Sequence, residues 1–337
     1  MVEQRSRRLI GVLVRLPRLV LAPVLAMLLV AVAEPAAAAP AVHAGGPSSG
    51  PVRLIVDTDF GQWWDDVAAL AVVHTAAGAG RVHILGVISD VDNPWNAAGL
   101  DALNTWYGRP DIPIGVPSGA AAVDQTYSRL LAERYPHAGS PVDAVALYRR
   151  LLRSQPDHSV TILSIGALTN LAQLARTDAA LIARKVARTV IMGGEYPAAS
   201  APEWNFGLDL PATRQVVATR ATPTVYDGYE IGARVFAGNR VCVTHPASSP
   251  VRAVFDLLYG CGTSQTDGTW DPTAAYYAVA GTGRVYTLAG AGGHNTVAAD
   301  GTNAWMPGER GQRYLVMTDA ARLTNAIDAL IDRVPRA

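Results

Sequence analysis

Val52-Arg53-Leu54-Ile55-Val56-Asp57-Thr58-Asp59-Phe60-Gly61-Gln62-Trp63-Trp64-Asp65-Asp66-Val67-Ala68-Ala69-Leu70 decides how the rest of the chain is read. It opens as a short apolar run rich in β-branched residues, the pattern of a buried strand. It closes on Val67-Ala68-Ala69-Leu70-Ala71-Val72-Val73, which reads as an apolar helix. Between them stand four carboxylates, Asp57, Asp59, Asp65 and Asp66, broken by Gly61. The acids therefore lie where a strand ends and a helix begins, the place where open α/β sheets bind ligands. A helix N-terminus favours Asp through its dipole, which accounts for Asp65 and Asp66. It does not account for Asp57 and Asp59 on the strand side. Like charges this close raise one another's pKa, and a divalent cation is the simplest remedy.

Working outward, strand-like and helix-like segments alternate. Val82–Ser89, Ile112–Val116, Val160–Leu163, Thr189–Met192, Thr222–Val225 and Arg313–Met317 read as strands. Ala97–Tyr107, Val142–Arg153, Leu168–Ala175, Leu210–Thr219, Val251–Tyr259, Ala274–Val279 and Ala320–Ile331 read as helices, and the character of Ala120–Tyr135 is left open. Such alternation predicts an α/β fold: a Rossmann-like, open, mostly parallel sheet with helices on both faces. No linker interrupts residues 51–337, which read as one domain.

The N-terminus reads differently. Arg5, Arg7, Arg8, Arg15 and Arg18 precede the apolar run Leu19–Ala33, and Ala-rich segments follow. This is the pattern of a signal peptide over residues 1–38, followed by a flexible Pro/Gly/Ser-rich leader over 39–50. The apolar run is shorter than the ~20 residues of a bilayer span. A secreted or extracytoplasmic protein is expected, with no membrane association after processing. The chain carries 28 basic and 28 acidic residues, and no basic stripe points to nucleic acid. Cys242 and Cys261 are the two cysteines; export permits them to pair, and without a nearby His pair a zinc site is disfavoured.

Further polar residues follow predicted strands: Ser89-Asp90-Val91-Asp92-Asn93, Ser164-Ile165-Gly166, Gly193-Gly194-Glu195, and the loop Glu203-Trp204-Asn205-Phe206. Trp270-Asp271-Pro272 opens a later helix. A hard cation takes oxygens from carboxylates and backbone carbonyls, which Asp59, Asp66, Asp271 and one carbonyl would provide. Five of the seven tryptophans (Trp63, Trp64, Trp95, Trp204, Trp270) fall in these polar loops, where aromatic faces suit a planar base or a sugar.

Asp-Thr-Asp-Phe-Gly-Gln-Trp-Trp-Asp-Asp resembles the N-terminal signature of the calcium-dependent, inosine–uridine-preferring nucleoside hydrolases, in the variant with two residues inserted before the Asp pair. Ser164-Ile165-Gly166-Ala167-Leu168-Thr169-Asn170, Met192-Gly193-Gly194, Glu203-Trp204-Asn205 and Trp270-Asp271-Pro272 continue the resemblance in family order. It implies hydrolysis of the N-glycosidic bond of a small-molecule nucleoside, with Ca2+ as cofactor, and it leaves room for a homo-oligomer. By motif match, Asp59 would be calcium ligand and general base for the attacking water. Asp66, Asp271 and the Ile165 carbonyl would complete the metal site. Asp65 and Asn205 would bind the ribose 2′- and 3′-hydroxyls, Glu203 the 5′ side, and Asp57 would stand behind the metal. Asn93 matches a sugar-binding Asn in kind but not in spacing.

The chain departs from the pattern at Trp270, where pyrimidine-competent members carry a His; stacking by Trp270 tilts the expectation toward purine nucleosides. Trp63 and Trp64 replace residues that are commonly smaller or polar, and no sugar-binding Asn is evident in the loop after Gly194. These departures keep alternatives open: a calcium-dependent nucleoside- or sugar-binding protein on a decayed hydrolase fold, or a hydrolase of another N-ribosyl compound. Asp57-Thr58-Asp59 also resembles the start of a haloacid-dehalogenase-type phosphatase. Such enzymes usually add a phosphate-holding lysine, and the chain's one lysine, Lys185, lies far from the strand ends.

Overall fold

The structure, a computed structural model, describes residues 50–117, 126–219, 222–265, 267–308 and 311–335. The signal-peptide reading of residues 1–38, and the leader apart from Gly50, lie outside the described residues, as does the first part of the open segment 120–135. Its remainder forms a helix, Thr126–Arg134.

The strands in chain order are β1 (Val52–Thr58), β2 (Val82–Ser89), β3 (Ile114–Val116), β4 (Val142–Asp143), β5 (Val160–Ile165), β6 (Val186–Met192), β7 (Thr224–Asp227), β8 (Tyr286–Ala289), β9 (Gly293–Val297), β10 (Asn303–Pro307) and β11 (Gln312–Met317). Nine form one sheet in the order β4-β3-β2-β1-β5-β6-β7-β11-β8. All its pairs are parallel except β11 with β8. The expected α/β architecture is thus present, with one antiparallel edge. β9 and β10 form a separate antiparallel ribbon. The chain winds outward from β1 through β2, β3 and β4, then returns to β5 on the other side of β1. That reversal opens a crevice between the carboxyl ends of β1 and β5. In register, Asp57 faces Ser164 and Thr58 faces Ile165 there.

β1 and β5 are buried on both faces, hence their near-continuous apolar composition. The helix Trp64–Gly78 is buried from Trp64 through Ala76. It packs against the helices Pro250–Leu258, Asp271–Ala280 and Ala320–Ile331, so no polar stripe is needed on it. Some boundaries differ from expectation for local reasons. Pro113 precedes β3 rather than joining it, since proline cannot donate to a ladder. Asp143 caps the helix Ala144–Arg153 through its side chain, so Val142 and Asp143 are extended. The helix Thr169–Lys185 runs past Ala175 across a kink at Asp178. Cys242 and Cys261 form a disulfide with Cα atoms 5.6 Å apart. Among the described residues, no helix is long and apolar enough to cross a membrane.

Candidate active site

Two helix N-termini meet at the crevice. One carries Asp65 and Asp66 in its first turn, the other Asp271. Packing of these two helices brings Asp271 beside acids some two hundred residues earlier, and β1 delivers Asp59 from below. One carboxylate oxygen from each of Asp59, Asp66 and Asp271 lies within 4.8 Å of the others, and all three residues are buried. Both dipoles favour negative charge here. The site is thus an all-oxygen acidic cluster able to coordinate a hard divalent cation.

Electrostatics lead to the same conclusion. Burial, then the charge of Asp65, pushes Asp59 up to about 7. Asp65 is raised to about 6 by burial, tempered by the Trp270 N–H that donates to it at 3.2 Å. Asp66 and Asp271 are raised well above the carboxylate range, first by burial and then by neighbouring acids. Thr58 Oγ1 donates to Asp66, and so does the Tyr127 hydroxyl, at 3.3 Å. Among the described residues, the leading causes of these shifts include no arginine or lysine. Charge of this density, held away from water, calls for a counter-cation.

Asp57 is fully buried, accepting from the Tyr148 hydroxyl at 2.7 Å and from Asn170 Nδ2 at 3.0 Å. Burial nevertheless raises it to about 7. Gly166 closes the floor. A Cβ there would stand 2.5 Å from the Asp59 backbone nitrogen and 2.5 Å from Asp90 Oδ2, so the backbone after Ile165 presses directly on Asp59.

The other anticipated residues are placed less uniformly. Glu203 is close enough for its charge to raise Asp59 and Asp271. Its carboxylate also caps the short helix Trp204–Leu208, accepting from the backbone N–H groups of Gly194, Asn205 and Phe206 at 3.0–3.1 Å. Asn205 is buried, with Nδ2 directed at the carbonyl and sulfur of Met192. Asn93 uses Oδ1 to accept from Trp95 N at 2.8 Å, a turn-forming role, and no contact joins it to the carboxylates. Trp270 stacks on Tyr229, centroids 5.4 Å apart and planes 22° apart.

Sequence reasoning places Asp90 in the polar cluster after β2 but assigns it no role. It directly follows β2 and is 1 % exposed. Neither oxygen makes a hydrogen bond of normal geometry; burial and the charges of Asp57, Asp59 and Asp66 raise its pKa, offset only by the Ala167 N–H. Its position after a strand was the available signal. Tyr127 and Tyr148 gave none, because their partners lie 61 and 91 residues away.

A family model described as inosine-uridine preferring nucleoside hydrolase matches residues 54–316. The chain belongs to this family. Among solved structures, a plant nucleoside hydrolase superposes with a TM-score of 0.66 at 19% identity, covering 84% of this chain and 99% of that one. The inosine-uridine preferring nucleoside hydrolase of Bacillus anthracis gives 0.66 at 14% identity, covering 83% and 99%. A purine-preferring ribonucleoside hydrolase from Gardnerella vaginalis gives 0.63 at 16% identity, covering 83% and 98%. At these identities the likeness is one of fold. No curated protein sequence matches the chain. Family membership and the acid cluster together mark a hydrolase of the nucleoside-hydrolase superfamily with a site suited to a divalent cation.

Proposed function

We propose that the protein hydrolyses the N-glycosidic bond of ribonucleosides, purine nucleosides above others, to free base and ribose, with Ca2+ as the cation. The convergence of Asp59, Asp66 and Asp271 from two distant segments onto one point carries this reading. The donor set fits calcium: hard carboxylate oxygens with no histidine or thiolate among them, and Ile165, paired with Thr58 at the adjoining strand end, would add its carbonyl. A bound calcium ion would lower the pKa of water in the site and fix its direction of approach.

The chain's own residues do the rest. Asp59, on the strand side, accepts the proton of the attacking water, the role of a general base held within hydrogen-bond reach of it. Asp65, fixed by Trp270 N, accepts a hydrogen bond from a ribose hydroxyl. Asn205 and Glu203 line the sugar, and Asn93 would have to leave its turn bond to join them. Negative charge around the sugar favours the oxocarbenium-like transition state of glycoside cleavage. Trp270, backed by Tyr229, offers an aromatic wall beside Asp65; a purine has more ring area to stack on it than a pyrimidine. Asp57 holds the floor through Tyr148 and Asn170. The Arg-rich, apolar N-terminal pattern supports action outside the cytoplasm.

Release of ribose from inosine, adenosine, guanosine, uridine and cytidine, with and without a chelator, tests the proposal. Calcium-dependent turnover, purines fastest, is expected. No turnover of any of the five, or turnover indifferent to chelation, would overturn it.

A further inference from the structure

Two tryptophans at the site have no part in the mechanism above. Trp63 is 48% exposed and Trp204 52%. They meet edge-to-face, centroids 6.4 Å apart and planes at 88°. By contrast Trp64, next in sequence to Trp63, is buried edge-on against Phe255. Leaving two indoles in water forgoes a sizeable burial gain, and contiguous exposed aromatic surface marks binding sites. Both are tied to the acid cluster by the chain itself. Trp63 stands two residues before Asp65, and Trp204 sits between Glu203 and Asn205. Their perpendicular planes make a corner that a flat or apolar group can enter.

We propose that Trp63 and Trp204 form a second aromatic subsite, and that the preferred substrate is a nucleoside bearing a neutral apolar or planar substituent on the sugar carbon remote from the base. The proposal rests on the nucleoside-hydrolase reading. In a ribose the 2′,3′-diol is flanked by C1′ on one side and C4′ on the other. With the diol on the acids and the base on the Trp270–Tyr229 stack, the C4′–C5′ end leads away from that stack. The Trp63–Trp204 pair is a separate surface, since no ring of one pair packs on a ring of the other. The polar groups beneath it are already engaged: Glu203 accepts from three backbone N–H groups and Asn205 Nδ2 donates to Met192. A 5′-phosphate would face Glu203 and the aspartates, so the charge of the site excludes nucleotides. An apolar 5′ group gains contact with indole without losing a hydrogen bond.

Steady-state kinetics on the calcium-loaded protein with adenosine, adenosine 5′-monophosphate and 5′-deoxy-5′-(phenylthio)adenosine test this. The phenylthio compound is expected to exceed adenosine in kcat/KM by about five- to ten-fold, the worth of one aromatic pair, with the monophosphate turned over least. In Trp63→Ala and Trp204→Ala the phenylthio-to-adenosine ratio should fall toward one, and Trp204→Phe should restore it. Equal kcat/KM for the two nucleosides in the parent, or a ratio unmoved by both Ala variants, overturns the second subsite alone. Failure to turn over either nucleoside overturns the hydrolase reading and the subsite with it. A change of oligomeric state in both Ala variants, with the ratio unchanged, assigns the pair to a subunit contact and also overturns it.

Discussion

Removing the divalent cation should invert the pH dependence of stability. In the cation-free fold the cluster acids have pKa values raised by burial and mutual repulsion, Asp59 from 3.8 to about 7 and Asp65 to about 6. Between the unfolded value and the folded one, the native state holds a proton that the unfolded chain has released. Stability therefore falls as pH rises through this window. At about 1.4 kcal/mol per unit of pKa, the displacement of Asp59 alone is worth about 4 kcal/mol by pH 7. For a domain of this size that is on the order of 10 °C in Tm. A bound cation reverses the sign by stabilising the ionised carboxylates. His74 works the other way: burial lowers it to about 3, so its contribution falls as pH drops from 6.5 toward 3. That effect is common to both forms and cancels in their difference. The assay is calorimetry from pH 4.5 to 8, chelated against calcium-saturated. The Tm gap should be small at the acid end and widen steadily toward pH 8. A gap that stays constant or narrows refutes the electrostatic account of the cluster.

Three substitutions follow from the same geometry. Asp59→Asn should reduce ribose release to background while raising the Tm of the chelated protein at pH 8, because one buried carboxylate is gone; a lowered Tm would contradict the strain assigned to it. Gly166→Ala places a methyl 2.5 Å from the Asp59 backbone, which must move; a loss of about 1–3 kcal/mol and at least ten-fold weaker calcium binding, about 1.4 kcal/mol, should appear in urea unfolding and titration calorimetry. Tyr148→Phe removes the 2.7 Å bond to buried Asp57 and should cost about 1–3 kcal/mol in urea unfolding.

Much of this site was legible because its logic is local. Asp57, Asp59, Asp65 and Asp66 announced a strand end and a helix start by themselves, and both elements are where the pattern put them. Asp271 joins the set as an acid opening a later helix and through its place in an ordered set of motifs, since helix packing, not spacing, carries it to Asp59. The tail reads as short strands, but the pairing of the β9–β10 ribbon and the antiparallel β8 edge escaped because a short strand does not encode its partner's direction. Glu203 and Asn93 show the opposite difficulty: the turn and cap roles natural to such side chains are the contacts they make. Trp63 and Trp64 are adjacent and identical in type, yet one is core and the other rim. A helix boundary separates them: Trp63 is the extended residue before the helix and Trp64 its first residue, and a boundary is hard to place to one residue from sequence.

The proposed function requires that Asp59, Asp66 and Asp271 hold one cation needed for ribonucleoside hydrolysis. Calcium titrated into fully chelated protein, with ribose release from inosine followed at each addition, addresses it most directly. Activity should rise from background in proportion to the occupancy of one site per chain, and Asp271→Asn should move the curve to higher calcium. Full activity before any calcium is added, or none at saturation, would contradict it.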